Sequence, residues 1–505
     1  MPTEDRIVRN AAWNFAGMAL PIAVALGCIP VVVARLGAER FGVLSLAWLI
    51  VTYFGQFNFG LGRATAKFAA EDLANEAGRN VPTIVRSSLV VHVVLGLIGG
   101  VALASATPWL AARVFHVPAD LRPETSGCLL LLALTIPLIL VSDCLRGLLE
   151  AYRRFDQIAV VQAPATAMTY LGPLFVLPWT DNLAAIIVPT LLTRAAVASV
   201  YAWLSLRLVP NIRRTRVVDW TLVARMLRFG GWVTVSALSA PLLAGLDRIT
   251  IAAVVSLSAV AWYATPFEVV SKLWLLSAGL LGALFPVFAG LAARDRTALA
   301  PLYLRATKLL TAAVVPAAAL LIFAGPELLR LWVGDEFAAH GAPVVRWLAV
   351  GIAVNVVAQV PFTLLQSVGQ ARVPALLQVV QIPFYAGLVW LSASAFGIAG
   401  AAAAWALRAA VEAVVLFFAV DRCVFASIEP RSVSLLRPAA ACGVLAVFVP
   451  IAGQLSLGLP ASVLVATGVV ALILAAEWNF LLSAADRTAV MTHRHALFGR
   501  VRGVA

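Results

Sequence analysis

The chain is dominated by long apolar stretches, about fourteen of which have the roughly 20 residues needed to cross a bilayer as a helix. Hydrophobic residues make up 62% of the 505 residues and charged residues 12%, which leaves no stretch for a separate soluble domain. The sequence therefore predicts an all-α polytopic membrane protein. The predicted spans are 11–35, 41–62, 84–106, 124–145, 157–178, 184–206, 230–254, 259–289, 307–325, 343–366, 374–395, 398–421, 438–456 and 461–483.

The basic residues are distributed as expected for a protein whose N-terminus lies in the cytoplasm. With that orientation, 27 of the 37 Lys and Arg residues fall in cytoplasmic segments and six in external ones. Cytoplasmic loops of membrane proteins carry such an excess of positive charge. The formal charge of +13 is therefore explained by topology and by attraction to anionic membrane lipids, and nucleic acid is not expected as a partner. Both termini are predicted to be cytoplasmic.

The chain is expected to fold as two six-helix lobes. The basic connection 207–229 is one of the longest between spans, and a weak repeat relates the segments around Trp13 and Trp232. Such repeats are common in transporters. The predicted organisation is an N-terminal lobe over 1–206, a cytoplasmic linker over 207–229, a C-terminal lobe over 230–421, and two further helices with a cytoplasmic tail over 422–505.

Charged side chains inside the spans are the candidate functional residues, because charge at membrane depth is costly and usually faces a partner or a water-filled cavity. Arg194 lies near the middle of the sixth span, and its helix carries no acidic residue. The candidate ligands of an anionic substrate are Arg194, Arg248, Lys272 and Arg408. The candidate carriers of a coupling ion are Asp143, Asp247, Glu268 and Glu412.

Spacing predicts contacts within this set. Glu268 and Lys272 are four residues apart, as are Arg408 and Glu412, so each pair shares a helical face. Arg248 and Glu268 each lie about 9 Å from the middle of their spans, toward the outside. Asp247, Arg248, Glu268 and Lys272 can therefore meet at one level. Two interpretations stay open, a self-neutralising structural cluster and the polar lining of a central cavity.

The sequence offers little for other chemistries. The five cysteines form no C-x-x-C pair, and no metal motif, glycine-rich phosphate loop or Ser/His/Asp set is present. No catalytic residue, metal or cofactor is expected, apart from a coupling proton or sodium ion. His92, in the third span, is interpreted as a packed polar residue in preference to a proton carrier.

Several segments resemble the bacterial polysaccharide flippases of the O-antigen type, a family in the multidrug, oligosaccharidyl-lipid and polysaccharide exporter superfamily. Segments 246–273, 284–291, 331–349, 364–377 and 396–407 are similar to motifs of that family in the expected order, and the likeness covers roughly 10–420. In the opening segment the matching residues are Leu36, Gly37, Phe41, Gly42, Gly60, Leu61 and Ala64. Lys67 stands where an arginine is usual in the family.

The resemblance implies a bacterial inner-membrane transporter whose two lobes give alternating access to a central cavity. The implied substrate is an undecaprenyl-pyrophosphate-linked oligosaccharide, flipped from the cytoplasmic to the periplasmic leaflet for polysaccharide biosynthesis. A polysaccharide polymerase and a chain-length regulator are the implied protein partners. Two alternatives are kept. One is a drug or metabolite efflux antiporter of the same superfamily, which the absence of acids in the first span disfavours. The other is a membrane enzyme of polysaccharide assembly, which the short external loops disfavour.

Overall fold

The computed structural model describes residues 4–56, 61–75, 78–215, 217–294, 299–425, 436–455 and 458–481. These residues form α-helices with short 3-10 and π-helical segments, and no strand occurs among them. The helices are α1 (Glu4–Gln56), α2 (Leu61–Asn75), α3 (Val81–Trp109), α4 (Arg122–Ala151), α5 (Phe155–Val176), α6 (Leu183–Leu208), α7 (Trp220–Val254), α8 (Leu257–Val270), α9 (Trp274–Arg294), α10 (Leu299–Val333), α11 (Asp335–Ser367), α12 (Arg372–Cys423), α13 (Leu436–Gln454) and α14 (Leu459–Ala476).

Two helices are far longer than a membrane is thick. α1 has 53 residues and α12 has 52, and at about 1.5 Å per residue each exceeds twice the hydrocarbon thickness. Each is interrupted at a glycine whose backbone leaves helical geometry, Gly37 with φ 71° and Gly397 with φ 60°. The predicted first and second spans, and the eleventh and twelfth, are therefore joined at one glycine with no loop between them.

The other predicted spans each fall on a helix, with three differences of detail. The predicted eighth span is divided into α8 and α9 by a 3-10 turn at Ser271–Leu273. The connection after the second predicted span, which is predicted to be cytoplasmic, contains a helix of its own, α2. The connection 207–229 ends inside α7, which Asp219 caps by accepting hydrogen bonds from the backbone N–H groups of Thr221 and Leu222. The Thr221 hydroxyl also donates to this carboxylate, and these hydrogen bonds lower the pKa of Asp219.

Eight of the described helices are long and apolar enough to cross a membrane. Their outward-facing side chains are strongly exposed, as Leu391 (70%) on α12 and Leu464 (75%) on α14 illustrate. Apolar side chains exposed along such helices are expected where the helix surface contacts the hydrocarbon core of a membrane. The prediction of an all-α polytopic membrane protein is confirmed, and the count of fourteen spans stays a prediction.

The chain divides into two compact units, Met1–Ala261 and Trp262–Ala505. α7 belongs to the first unit, whereas the predicted C-terminal lobe began at residue 230. In the first unit, α4 packs against α3 and α6, and in the second, α11 packs between α10 and α12. The C-terminal helices α13 and α14 pack on α10. The predicted lobe boundaries themselves stay a prediction.

Candidate functional site

Arg194 lies on the face of α6 that packs inside the first unit. Buried residues recur along this helix with helical spacing, at Ile187, Thr190, Val197 and Tyr201, and Arg194 falls in the same row. The side chain is half-buried. Across the residues that the structure describes, its guanidinium makes no hydrogen bond and no ion pair. Arg194 is therefore a cation near the middle of a helix long and apolar enough to cross a membrane, and no carboxylate of the described chain offsets its charge.

Asp143 forms an ion pair that the sequence interpretation missed. One carboxylate oxygen lies 2.8 Å from a guanidinium nitrogen of Arg146, and Arg146 also lies 3.4 Å from Glu150. The Asp143 side chain is buried, and its second oxygen, Oδ2, has no hydrogen-bond partner in the described structure. The spacing 143, 146 and 150 is the signal that would have predicted these pairs.

Asp247 and Arg248 are both buried near the C-terminal end of α7. The backbone N–H of Arg248 donates to the carboxylate of Asp247 at 2.8 Å. Both residues make further interactions, so neither is an unpaired charge.

Glu268 and Lys272 form the ion pair that their spacing predicts, with 3.1 Å between Nζ and Oε2. Lys272 lies in the 3-10 turn between α8 and α9, and the two side chains keep 24% and 29% exposure for Glu268 and Lys272 respectively. Because this pair belongs to the second unit and Asp247 and Arg248 to the first, the predicted meeting of all four stays a prediction.

Arg408 and Glu412 form the other predicted pair, and this pair is buried. A guanidinium nitrogen of Arg408 lies 2.9 Å from Glu412, and both side chains are 8% exposed. The same nitrogen donates to Gln381 at 3.3 Å. The guanidinium also lies 5.0 Å and 5.4 Å from the ring centres of Trp405 and Tyr385. These contacts all come from α12 itself, so an anion at Arg408 would have to compete with them. Nε of Arg408 is buried and has no hydrogen-bond partner in the described structure.

These residues thus form separate polar groups. In the first unit the group of Asp143, Arg146 and Glu150 has one more carboxylate than guanidinium, whereas Arg194 is a cation without a carboxylate partner among the described residues. The Glu268–Lys272 pair is the more exposed of the two predicted pairs in the second unit. No group of three or more side chains in the described structure has the arrangement of a metal site. These side chains can bind ions of opposite charge, and they can exchange a proton or another cation.

The chain is similar to a known protein family along most of its length. Residues 32–342 match the model of a family described as "Polysaccharide biosynthesis protein". The Shigella flexneri protein named "Putative O-antigen transporter" is 23% identical over 412 residues, which are 81% of this chain and 96% of that protein.

Solved structures of transporters share the fold. The lipid II flippase MurJ in an inward closed conformation has a TM-score of 0.72 at 12% identity, covering 93% of this chain and 98% of that one. An inward-facing multidrug resistance MATE family transporter of the MOP superfamily has a TM-score of 0.69 at 15% identity, covering 83% of this chain and 94% of that one.

Proposed function

The chain belongs to the polysaccharide biosynthesis protein family, and we propose that it flips a lipid-linked oligosaccharide across the bacterial inner membrane. The proposed substrate is an undecaprenyl-pyrophosphate-linked oligosaccharide, moved from the cytoplasmic to the periplasmic leaflet by alternating access. In this proposal the protein is a transporter and not an enzyme. Both termini lie in the cytoplasm, and a polymerase and a chain-length regulator act on the flipped product.

The relatives favour a glycan substrate. The Shigella flexneri relative is named for O-antigen transport, and MurJ is named for flipping lipid II. The first predicted span, 11–35, contains no acidic residue, so it lacks an anionic site for a cationic drug.

Arg194 is the observation that carries the proposal. Moving a pyrophosphate through the membrane requires cations that offset its charge at the depth of the hydrocarbon core. A guanidinium binds phosphate oxygens with two parallel hydrogen bonds. Because an intramembrane charge without a partner is expensive, an unpaired arginine on the packed face of α6 is best explained by a transient anionic ligand.

Lys272 is the second proposed ligand, since its partial exposure lets it exchange Glu268 for a phosphate oxygen. Arg248 and Arg408 would contribute only after a conformational change that releases their present partners. Proton or sodium coupling is proposed through Asp143, Asp247, Glu268 or Glu412, and no other cofactor is involved.

The test measures flipping in proteoliposomes with a fluorescent short-chain polyprenyl-pyrophosphate disaccharide as the probe. Arg194→Ala is expected to reduce the initial rate at least about tenfold, the equivalent of about 1.4 kcal/mol of added activation free energy. Arg194→Lys should keep part of the activity because it keeps the charge. Arg207→Ala is the matched control on α6, since Arg207 stacks over Trp203 at 3.7 Å outside this site.

A wild-type flipping rate in Arg194→Ala would remove Arg194 from the mechanism. The structural likeness to MATE transporters supports a second candidate, efflux of a cationic drug in exchange for an ion. The same vesicles loaded with ethidium distinguish the two functions, because a flippase moves the pyrophosphate probe and leaves ethidium in place.

A further inference from the structure

A chain of buried polar side chains connects α2, α3 and α4 in the first unit. The hydroxyl groups of Thr65 and Ser88 lie 2.6 Å apart, and the Ser88 hydroxyl lies 3.2 Å from Nδ1 of His92. The thiol of Cys144 donates to the same hydroxyl at 3.3 Å. All four residues are at most 1% exposed. A buried polar network lowers the stability of the protein unless the polar groups of its members have hydrogen-bond partners.

His92 is the member that is not fully satisfied. Its Nδ1 lies 2.8 Å from the carbonyl oxygen of Ser88, one turn earlier on α3. A carbonyl oxygen only accepts, so this contact assigns the hydrogen to Nδ1 and leaves a lone pair on Nε2. Nε2 is buried and has no hydrogen-bond partner in the described structure. The neutral ring can therefore accept one proton, at Nε2.

Asp143 of α4 is the nearby opposite charge: it precedes Cys144, whose thiol donates to the Ser88 hydroxyl that contacts His92. Burial disfavours a charged His92 ring, and the Asp143 carboxylate acts against that effect. One oxygen of this carboxylate is held by Arg146, whereas Oδ2 is buried without a hydrogen-bond partner among the described residues. The neighbouring Ser142 hydroxyl donates instead to the carbonyl of Leu138, at 2.7 Å. Oδ2 of Asp143 is therefore an acceptor for which the described chain provides no donor.

The helices α2 and α4 meet closely at Asp143. The carboxylate lies against Gly62 of α2, where a Cβ atom would overlap it. Gly147 of α4 lies in turn against the carbonyl of Gly62. A movement of Asp143 therefore changes the contact between α2 and α4.

Among the described residues, the further charged or titratable side chains that are seen to interact with Asp143 belong to α4 and α6. Arg146 and Glu150 lie next to Asp143 on α4, and Tyr201 of α6 lies within electrostatic range of all three. The part of α7 that packs here contributes apolar side chains, those of Leu222 and Met226. Asp143 is the acid that acts on His92.

We propose that His92 is a proton-binding site of the first unit, with Asp143 as the group that stabilises its protonated form. Protonation creates a donor at Nε2, and Asp143 Oδ2 is an acceptor without a donor in the described chain. When Nε2 of His92 and Oδ2 of Asp143 move together, α3 shifts against α4 at the place where α2 packs on α4 through Gly62. As a coupling site for transport, this inference rests on the proposed function; as a proton site, it does not.

The first test measures proton binding without any cargo. The protein is labelled with ¹⁵N at its imidazole nitrogens and placed in lipid nanodiscs, and its five histidines are followed between about pH 8 and pH 5. The His92 signal is identified by its loss in His92→Asn. We expect a neutral ring with hydrogen on Nδ1 that becomes doubly protonated on acidification. Asp143→Asn should weaken its proton affinity about tenfold. A His92 ring that stays neutral over this range overturns the proposal.

The second test separates a proton site from a merely packed histidine. Asparagine in His92→Asn can keep a donor for the Ser88 carbonyl but cannot take up a proton. If His92 couples transport to protons, this variant flips the pyrophosphate probe at a rate that no longer depends on pH. His340→Asn is the matched control, since His340 stacks on Trp262 at 3.8 Å in the second unit. A properly folded His92→Asn protein with wild-type pH dependence overturns the coupling role.

The two tests fail independently. If the wild-type protein does not move the probe at all, the proposed function falls, while the ¹⁵N titration still decides whether His92 binds a proton.

Discussion

Glu412 is the anionic half of a buried ion pair, and removing it is expected to destabilise the second unit strongly. Glu412→Ala leaves the Arg408 guanidinium buried and without its carboxylate, which lies 2.9 Å away in the wild type. Breaking a buried pair in this way costs about 3–5 kcal/mol. Gln381 and the rings of Trp405 and Tyr385 remain to stabilise the cation. We therefore expect the lower end of the range, about 3 kcal/mol.

The assay is a double-mutant cycle on the free energy of unfolding in mild detergent. Replacing both partners, as in Arg408→Leu with Glu412→Leu, is expected to be close to neutral, because apolar residues often replace a buried pair without loss. The Glu268–Lys272 pair is the internal control. Both of its side chains are partly exposed, and an exposed pair contributes about 0–1 kcal/mol.

A loss of less than about 1 kcal/mol in Glu412→Ala would refute the reasoning, because it is the value typical of a pair in contact with solvent. Flipping by the double variant then separates two roles for Arg408. A stable but inactive protein indicates that Arg408 binds substrate, and a stable and active one indicates a structural pair.

Two further predictions concern glycines. Gly397→Ala is expected to cost about 1–3 kcal/mol of unfolding free energy, because φ 60° with ψ −146° is strained for any residue with a Cβ. The control Gly443→Ala lies in a helix with open space around it and should be neutral or stabilising. Equal changes in unfolding free energy for the two variants would contradict the argument. Gly62→Ala is expected to cost about 1–3 kcal/mol of unfolding free energy by overpacking, because the new methyl group displaces the Asp143 carboxylate. The control Gly27→Ala has nothing within 4 Å to displace. A Gly62→Ala protein as stable as wild type would refute the close contact.

Hydropathy predicted most of the fold, because an apolar run of sufficient length has few alternatives to a membrane helix. It missed α2, whose sequence LGRATAKFAAEDLAN is too polar to register as a span, although the helix packs against α4. It also placed loops where Gly37 and Gly397 interrupt continuous helices. A glycine can take a positive φ without strain, but apolar patterning does not show which glycine does so.

The candidate site was predictable only where contacts follow helical spacing. The pairs Glu268–Lys272 and Arg408–Glu412 are confirmed, since both are four residues apart. The hydrogen bond of Arg408 with Gln381 joins the two segments of α12 on either side of Gly397, and such contacts depend on packing that one sequence does not reveal. The surroundings of His92 were missed for the same reason.

The single-glycine breaks in α1 and α12 have a consequence for how the protein is made. With one non-helical residue at Gly37 and one at Gly397, no stretch of non-helical chain separates the two segments on either side. Both segments of each pair leave the ribosome in immediate succession, before the first can insert into the bilayer by itself. We expect each pair to enter the bilayer together as a preformed helical hairpin, exposing almost no chain for a protease to cut at its tip.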